Sequence, residues 1–241
     1  MNKIAIILYG ISSYIVGLAG LTAFMLYLGD WNILPFGINS SAHTVSVTFA
    51  IIVNLLIVLA FGLHHSVAAR HSFKEWLNRV LPESIERSTY VLISGIFMFV
   101  FVLYWQPLAG TIWHSENTAI VYFLNVVHVL GWVVLVVATF EIDHFHLMGL
   151  KQSISMNTYE GGKLKENFLY RVVRHPIQTG VLLGIWSTAN MSTTQFMLSM
   201  SFTIYIFIGL YYEEKSLVSH FGDDYLDYKK RVPALIPFWP K

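Results

Sequence analysis

Long runs of residues without a single charge constrain this chain more than any other feature. Four such runs cover residues 4–28, 44–63, 88–105 and 118–140, and a fifth covers 176–212. The core of a bilayer is about 30 Å thick and needs about 20 apolar residues per helix. Charged residues make up only 12% of the chain, about half of the ~25% usual in soluble domains. We therefore predict an all-α, polytopic membrane helical bundle.

The fifth run is too long for one span. It has 37 residues and is interrupted by the polar sequence STANMSTTQ at 187–195. This pattern predicts a C-terminal helical hairpin whose first arm is short or re-entrant, so the bundle has five to six transmembrane segments. No internal repeat divides the chain. We expect a single integral membrane domain over 1–241, with four transmembrane helices in 1–140 and a loop, the hairpin and a tail in 141–241.

Lysine and arginine are missing from one set of predicted loops. All fifteen lie at Lys3, in loop 64–87, in loop 141–175 or after residue 213. The loops without any are 29–43, 106–117 and 187–195. The positive-inside rule then places both termini and the two basic loops in the cytoplasm. Because the polar residues concentrate on that side, we expect chemistry on water-soluble reagents to occur there.

The chain has ten histidines and no cysteine. The lack of cysteine excludes disulfides, a cysteine nucleophile and cysteine-ligated zinc or iron–sulfur clusters. His64–His65 and His144-x-His146 could supply imidazole ligands to haem or a metal, or could simply anchor helix ends at the interface. His128 lies deep in the fourth span, three residues after Asn125. A satisfied buried polar pair is favoured there over a ligand or a proton relay.

A mixed acid and imidazole sequence, EIDHFHLMGL, follows the fourth span at 141–150. Acids at a membrane edge are costly unless they are solvated or paired. Glu141 and Asp143 therefore either end a solvated helix or join His144 and His146 in a cluster able to take a proton.

The sequence YRVVRHPIQTG at 170–180 begins the hairpin. Pro176 suits the first turn of a helix, where its missing N–H costs nothing. Arg171, Arg174 and His175 lie at that start, where free N–H groups favour anions. These charges could bind an anionic group, or they could be simple flanking charges of a span.

Two adjacent carboxylates, Glu213 and Glu214, follow the last apolar run directly. Adjacent carboxylates repel each other and need cations. A ligand carrying a positive charge, an amine and ribose hydroxyls would satisfy them. Arg174 or Arg171 could do so without any ligand.

These motifs together resemble a known superfamily. RHP…G, an uncharged hairpin, EE and FGxxYxxYxxxVPxxIP, over about 165–238, resemble the isoprenylcysteine carboxyl methyltransferase and phospholipid methyltransferase superfamily, whose members are membrane enzymes that use S-adenosylmethionine. The rest of the chain resembles the bacterial methanethiol S-methyltransferase family. That resemblance lies in LYG at 8–10, HHSVAARHSFKEWLNRVLPESIERSTYVL at 64–92, WQPL at 105–108 and HFHLMGLKQ at 144–152.

The resemblance implies a cofactor site for S-adenosylmethionine in the C-terminal hairpin. Gln178 stands where the superfamily often has a tyrosine, and Gly180 would let the cofactor approach the backbone closely. The cofactor-binding residues that it implies are Arg174, His175, Gln178, Gly180, Glu213 and Glu214.

The same resemblance implies direct, in-line methylation of methanethiol to dimethyl sulfide at the cytoplasmic face of a bacterial inner membrane. A small thiol should be no stronger an acid than cysteine, whose pKa is about 8.5, so a base or a cation is needed. The candidate catalytic residues are His65, Asp143, His144, His146, Tyr170 and Arg171. The expected partners are a small volatile thiol and membrane lipid, with no nucleic acid and no metal.

Three alternatives remain open from the sequence. The first is a methyltransferase of the same scaffold that acts on an isoprenylcysteine carboxylate, a lipid or another thiol. The second is a histidine-based redox protein or an accessory membrane protein of nitrogen-oxide metabolism. The third is a membrane reductase of the sterol-reductase type that uses a nicotinamide cofactor.

Overall fold

The computed structural model of the protein describes residues 2–40, 45–68, 70–156 and 164–238. A 3₁₀ turn at Glu83–Ile85 leads into the fourth helix. The elements in chain order are α1 (Lys3–Gly29), α2 (Val47–Val67), α3 (His71–Leu77), α4 (Glu86–Tyr104), β1 (Thr111–His114), α5 (Thr118–Ile142), α6 (His144–Leu147), α7 (Leu150–Ser155), α8 (Phe168–Val172), α9 (Pro176–Trp186), β2 (Asn190–Ser192), α10 (Thr193–Phe221) and α11 (Asp223–Arg231).

Five helical segments among the described residues are long and apolar enough to cross a bilayer. They are α1, α2, α4 with its preceding 3₁₀ turn, α5 and α10. The prediction of an α-helical, polytopic membrane protein is confirmed. The first arm of the hairpin, α9, has only 11 residues and is therefore about 16 Å long. Thr44, where the second span was predicted to begin, lies outside the described residues.

The chain forms two compact units. The first comprises Met1–Ala109 and Asp143–Glu160, and the second comprises Gly110–Ile142 and Gly161–Lys241. Helix α5 thus groups with the C-terminal hairpin, and α6 and α7 group with the N-terminal helices. A single domain over 1–241 stays a prediction.

In the first unit, α6 and α7 are fastened to the N-terminal end of α4 by side chains that bind backbone carbonyls. The Ser88 hydroxyl donates to the Gly149 carbonyl oxygen at 2.9 Å, and Arg87 Nε donates to the Leu147 carbonyl oxygen at 2.7 Å. Gly149 has a φ of +78°, which glycine adopts without steric cost. A short polar segment that would otherwise expose its carbonyls is therefore held on the membrane-spanning helices.

In the second unit, α5 and α9 approach so closely that only glycine fits between them. A Cβ built on Gly180 would lie 2.5 Å from the Gly131 carbonyl oxygen. Near the end of α9, the Gly184 carbonyl oxygen lies 2.8 Å from His128 Nδ1. Trp132 Nε1 donates to His128 Nε2 at 3.0 Å. Because a carbonyl only accepts and an indole N–H only donates, His128 carries its proton on Nδ1 and is neutral.

The two strands were not anticipated from the sequence. β1 and β2 pair antiparallel, with Trp113 opposite Met191, and the Trp113 indole donates to the Thr188 carbonyl oxygen at 3.0 Å. α10 begins directly after β2, where the Ser192 hydroxyl accepts from the Gln195 backbone N–H at 3.1 Å. The polar sequence at 187–195 is therefore a strand and a helix cap rather than a simple turn.

The C-terminal tail folds back onto the hairpin. The backbone N–H groups of Arg174 and His175 donate to the carbonyls of Pro233 and Ala234 at 2.8 and 3.0 Å. The Thr179 hydroxyl donates to the Leu235 carbonyl oxygen at 2.8 Å. Leu235 itself is buried against α10. These bonds fix the segment that precedes α9, where the conspicuous charged residues lie.

Candidate functional site

Three cationic or imidazole side chains surround Glu214, near the end of α10 that is predicted to face the cytoplasm. Its Oε1 accepts from Arg174 Nε at 2.9 Å and from Arg174 Nη2 at 2.5 Å. His175 Nε2 lies 3.3 Å from the same oxygen, and Lys229 Nζ of α11 lies 2.5 Å from Oε2. Both oxygens of Glu214 are therefore engaged by the protein itself.

Most N–H donors of Arg174 form hydrogen bonds with other groups of the protein. Besides Glu214, its Nη1 donates to the carbonyls of Val232 and Lys229. Its side chain is 6% exposed, and a guanidinium has only five N–H donors. Arg174 therefore joins the start of α9, the end of α10 and the tail, and has little capacity left for a ligand.

Glu213 differs from Glu214 in having room for a further partner. Its side chain is 45% exposed. Gln178 Nε2 donates to its Oε2 at 3.1 Å, and buried His175 lies 3.8 Å away through Nδ1. A carboxylate offers about four acceptor positions. Glu213, with Gln178 and His175, can therefore bind a positively charged or hydroxyl-bearing group.

Two tyrosines, Tyr170 of α8 and Tyr225 of α11, lie near these carboxylates, and Tyr228 of α11 packs beside both of them. Burial raises the pKa of Tyr170 far above its ordinary value, and the charge of Glu213 adds to the effect. Burial raises the pKa of Tyr225 to about 12, with Glu214 adding and Arg174 opposing. The Tyr228 hydroxyl donates to the Tyr170 carbonyl oxygen at 2.6 Å. Burial raises the pKa of Tyr228 as well, so all three phenols are protonated at neutral pH, and Tyr170 can donate a hydrogen bond but is no base.

The structure brings most of the predicted cofactor-binding residues together, but not Gly180. Arg174, His175, Gln178, Glu213 and Glu214 form one connected cluster. Gly180 is buried against α5 instead, so its missing side chain is explained by helix packing. Arg171 is exposed and donates from Nε to the Glu166 carbonyl oxygen at 2.9 Å.

The predicted catalytic residues of the 143–146 segment belong to the first unit. Asp143 caps α6, accepting from the His146 N–H at 3.1 Å. The hydrogen bond from Lys151, at 2.6 Å, lowers the pKa of Asp143. Burial lowers the pKa values of His144 and His146, although the charge of Asp143 opposes this. At neutral pH the two imidazoles are therefore neutral and can accept a proton, whereas Asp143 is ionised and already paired.

His65, the remaining predicted catalytic residue, lies in the last turn of α2 in the same unit. The Tyr90 hydroxyl is 2.7 Å from its Nδ1 and 2.8 Å from its Nε2. The ring of His144 is engaged in the same way, with the Tyr14 hydroxyl 3.0 Å from Nε2. In the described parts of the chain, no three His, Asp or Glu side chains converge as a metal site would require.

Sequence reasoning missed three residues that the structure places at these sites. Lys229 binds Glu214, and the basic end of the amphipathic sequence DDYLDYKKR was the available signal for it. Arg87 and Tyr90 lie beside His65. They stand within the long motif at 64–92, but their spacing alone suggests no common site.

Comparisons with known proteins identify the family of the chain. A family model described as phospholipid methyltransferase matches residues 120–224. Methanethiol S-methyltransferase 2 of Bradyrhizobium diazoefficiens is 35% identical over 98% of this chain and 91% of its own length. The methanethiol S-methyltransferase of Pseudomonas deceptionensis is 37% identical over 98% and 90%, and that of Mycobacterium tuberculosis is 34% identical over 100% and 98%. No solved structure matches the chain. With five apolar helices able to span a bilayer and such likeness along its whole length, the chain belongs to the methanethiol S-methyltransferase family of integral membrane proteins.

Proposed function

We propose that this protein methylates methanethiol to dimethyl sulfide with S-adenosylmethionine as the methyl donor. The observation that carries the proposal is the match to relatives named methanethiol S-methyltransferase over nearly the whole chain. The balanced reaction converts the thiol and the sulfonium donor into dimethyl sulfide, S-adenosylhomocysteine and one proton.

The chemistry of the Glu213 cluster supports a cationic donor. S-adenosylmethionine supplies an electrophilic methyl group on a sulfonium sulfur and carries an ammonium group and ribose hydroxyls. Glu213 would accept hydrogen bonds from that ammonium or from the ribose, with Gln178 and His175 holding the carboxylate in place. Charge-assisted bonds of this kind are the strong ones.

Glu214 and Arg174 have a different task in this proposal. Their mutual ion pair, with His175 and Lys229, holds the start of α9 against the end of α10 and the tail. Gly180 contributes by allowing α9 to pack on α5. These residues position the donor site, and Glu213 binds the donor. Preorganisation of this kind can contribute several kcal/mol to an in-line transfer.

The thiol must lose its proton before or during transfer. Of the six predicted catalytic residues, the neutral imidazoles His65, His144 and His146 suit a base. Asp143 is held by Lys151, Tyr170 keeps its phenol proton at neutral pH, and the guanidinium of Arg171 has no acceptor. We assign the role of base to the imidazoles. The assigned location is a bacterial inner membrane with both termini and the active site in the cytoplasm, on the positive-inside distribution of lysine and arginine.

The test is headspace detection of dimethyl sulfide from the purified, lipid-embedded protein with methanethiol and S-adenosylmethionine, beside calorimetric binding of S-adenosylhomocysteine. We expect product above the no-enzyme control together with saturable binding. Asp224→Asn, on an exposed residue of α11 that makes no ion pair with the described residues, is the matched charge control and should behave like the wild type. Binding without product would send the search to another acceptor, and neither binding nor product from folded protein would refute the proposal.

A further inference from the structure

A half-buried arginine lies among imidazole and phenol rings in the first unit. The Arg87 guanidinium carbon stands 4.7 Å from the centroid of the Tyr90 ring. The Tyr90 hydroxyl contacts His65, and the His64 ring stacks on Tyr90 with centroids 5.5 Å apart. We call Arg87, Tyr90, His64 and His65 the arginine cluster. None of these side chains is fully exposed, so the guanidinium is partly withdrawn from water.

Arg87 makes no ion pair within the described parts of the chain, and the charge of Glu86 attracts it without contact. Its one hydrogen bond there runs from Nε to the Leu147 carbonyl oxygen, which leaves both terminal nitrogens with unused donors. The neighbouring carboxylate, Glu86, is paired with Lys74 at 3.1 Å instead. Partly buried charges are normally paired because an unpaired charge loses hydration without compensation. The cluster is therefore built to receive an anion.

The walls of the cluster restrict which anion fits. The His65 ring lies 5.2 Å from the Phe61 ring, and the His64 ring lies 5.6 Å from the Phe97 ring. Aromatic walls beside a single cation suit a small, weakly hydrated, monovalent anion with an apolar part. A strongly hydrated anion such as phosphate would lose its water without enough donors to replace it.

We propose that the arginine cluster binds methanethiol as its thiolate, with the sulfur on the terminal nitrogens of Arg87 and the methyl group against the aromatic rings. This assignment rests on the proposed function. On binding, the S–H bond breaks, the electron pair stays on sulfur and the proton passes through the neutral imidazole of His65 to solvent. Arg87 then acts as a catalytic residue that raises the concentration of the nucleophile.

Other charged groups near Arg87 cancel in pairs. Glu86 pairs with Lys74, and Asp143 pairs with Lys151. His146, beside the Leu147 carbonyl that Arg87 binds, is neutral because burial lowers its pKa. The titratable and charged groups around Arg87 are His64 and His65 of α2, Lys74 of α3, Glu86 and Tyr90 of α4, Asp143 before α6, His146 of α6 and Lys151 of α7.

The direct test follows the methyl ¹³C resonance of [¹³C]methanethiol against pH, with the protein in lipid nanodiscs and no methyl donor. An opposite charge at contact distance lowers the pKa of an acid by about 1–3 units. We expect the bound thiol to titrate at least about one pH unit below the free thiol in the same sample. A bound thiol that titrates like the free one overturns the proposal.

Three variants separate charge from structure. Arg87→Gln should abolish the shift, and Arg87→Lys should keep most of it, although both lose the bond to the Leu147 carbonyl. A purely structural role would make the two variants behave alike. Arg79→Gln removes the same charge from an exposed position of the same unit and should leave the shift unchanged.

The wild-type protein gives a second test that does not depend on the folding of a variant. Iodide, a soft monovalent anion, should displace the bound thiol signal at concentrations at which an equal amount of sulfate does not. Failure of iodide to compete would refute an anion site. The protein could form dimethyl sulfide although its bound thiol titrates like the free thiol. That result would support the proposed function and refute only the thiolate site.

Discussion

The two adjacent glutamates, Glu213 and Glu214, have different roles. Glu213 is partly exposed and can bind a ligand, whereas the protein itself binds both oxygens of Glu214. We therefore expect Glu213→Gln to weaken binding of S-adenosylhomocysteine about tenfold or more, which is the cost of one charged hydrogen bond. Glu214→Gln should instead lower the free energy of unfolding by about 3 kcal/mol, because Arg174 loses its counter-charge. Calorimetry and thermal unfolding measure the two effects. The reverse pattern would exchange the roles of the two carboxylates.

The histidines of α6 predict a dependence of local stability on pH. Burial lowers the pKa values of His144 and His146 in the folded protein, so the unfolded segment takes up protons first as the pH falls. The stability that α6 and α7 have at neutral pH should therefore decrease below about pH 6.5, the ordinary histidine value. The lowered pKa of Asp143 acts in the same direction, but only near pH 4 and below.

Hydrogen exchange of residues 144–155 at pH 7.5 and pH 5.5 measures this loss. His144→Gln removes one titrating ring and should make the two exchange profiles more alike. Residues 223–231 serve as the internal reference because α11 has no such histidine. Equal protection of 144–155 at the two values in the wild-type protein would show that burial of these rings is not a source of stability.

Whether a contact between two residues of the site could be predicted depended on how far apart in the sequence the two residues lie. His175, Glu213 and Glu214 stand in short, conspicuous motifs, and the need of the carboxylates for cations followed from their adjacency. That Arg174 serves Glu214 was one of the alternatives open from the sequence, and the structure selects it. That Lys229 completes the pairing could not be predicted, because α11 could have presented any of its basic residues.

The close packing of helices α5 and α9 leads to the next prediction. A Cβ on Gly131 would lie 2.7 Å from the backbone of α9, which cannot yield as a side chain tip can. Gly131→Ala should therefore cost about 1–3 kcal/mol of unfolding free energy and weaken donor binding, because α9 carries His175 at its start. Gly209→Ala in α10 is the matched control, since a Cβ there meets nothing within 4 Å and alanine favours a helix. Thermal unfolding should separate the two variants, and equal stability would contradict the close contact.

The elements were predictable where the signal is local. The charge-free runs at 4–28 and 118–140 became Lys3–Gly29 and Thr118–Ile142, because span length is set by the bilayer. The pairing of β1 with β2 and of residues 174–175 with 233–234 could not be predicted. Each joins segments far apart in sequence, and neither polar loops nor a proline-rich tail has a periodicity that indicates a partner.

At the scale of the whole chain, we expect the short α9 to reach the far side of the membrane with the help of the segment that follows it. α9 contributes about 16 Å, and residues 187–192 can add up to roughly 20 Å if extended. The β1–β2 pairing brings this segment beside the 106–117 loop and satisfies its backbone, which non-helical chain at membrane depth requires. Both loops lack lysine and arginine, so the positive-inside rule predicts that they lie together on the side opposite the basic loops.

The last prediction concerns that orientation, which the absence of native cysteine makes easy to measure. In spheroplasts, a membrane-impermeant maleimide should label Glu116→Cys, in the loop without basic residues. It should not label Asp224→Cys in α11 or Glu83→Cys at the start of α4, because the positive-inside rule places these in the cytoplasm. A permeant maleimide should label all three, which shows that each thiol is reactive. Labelling of Asp224→Cys from outside would place the donor site on the periplasmic face, where the cytoplasmic pool of S-adenosylmethionine could not supply it.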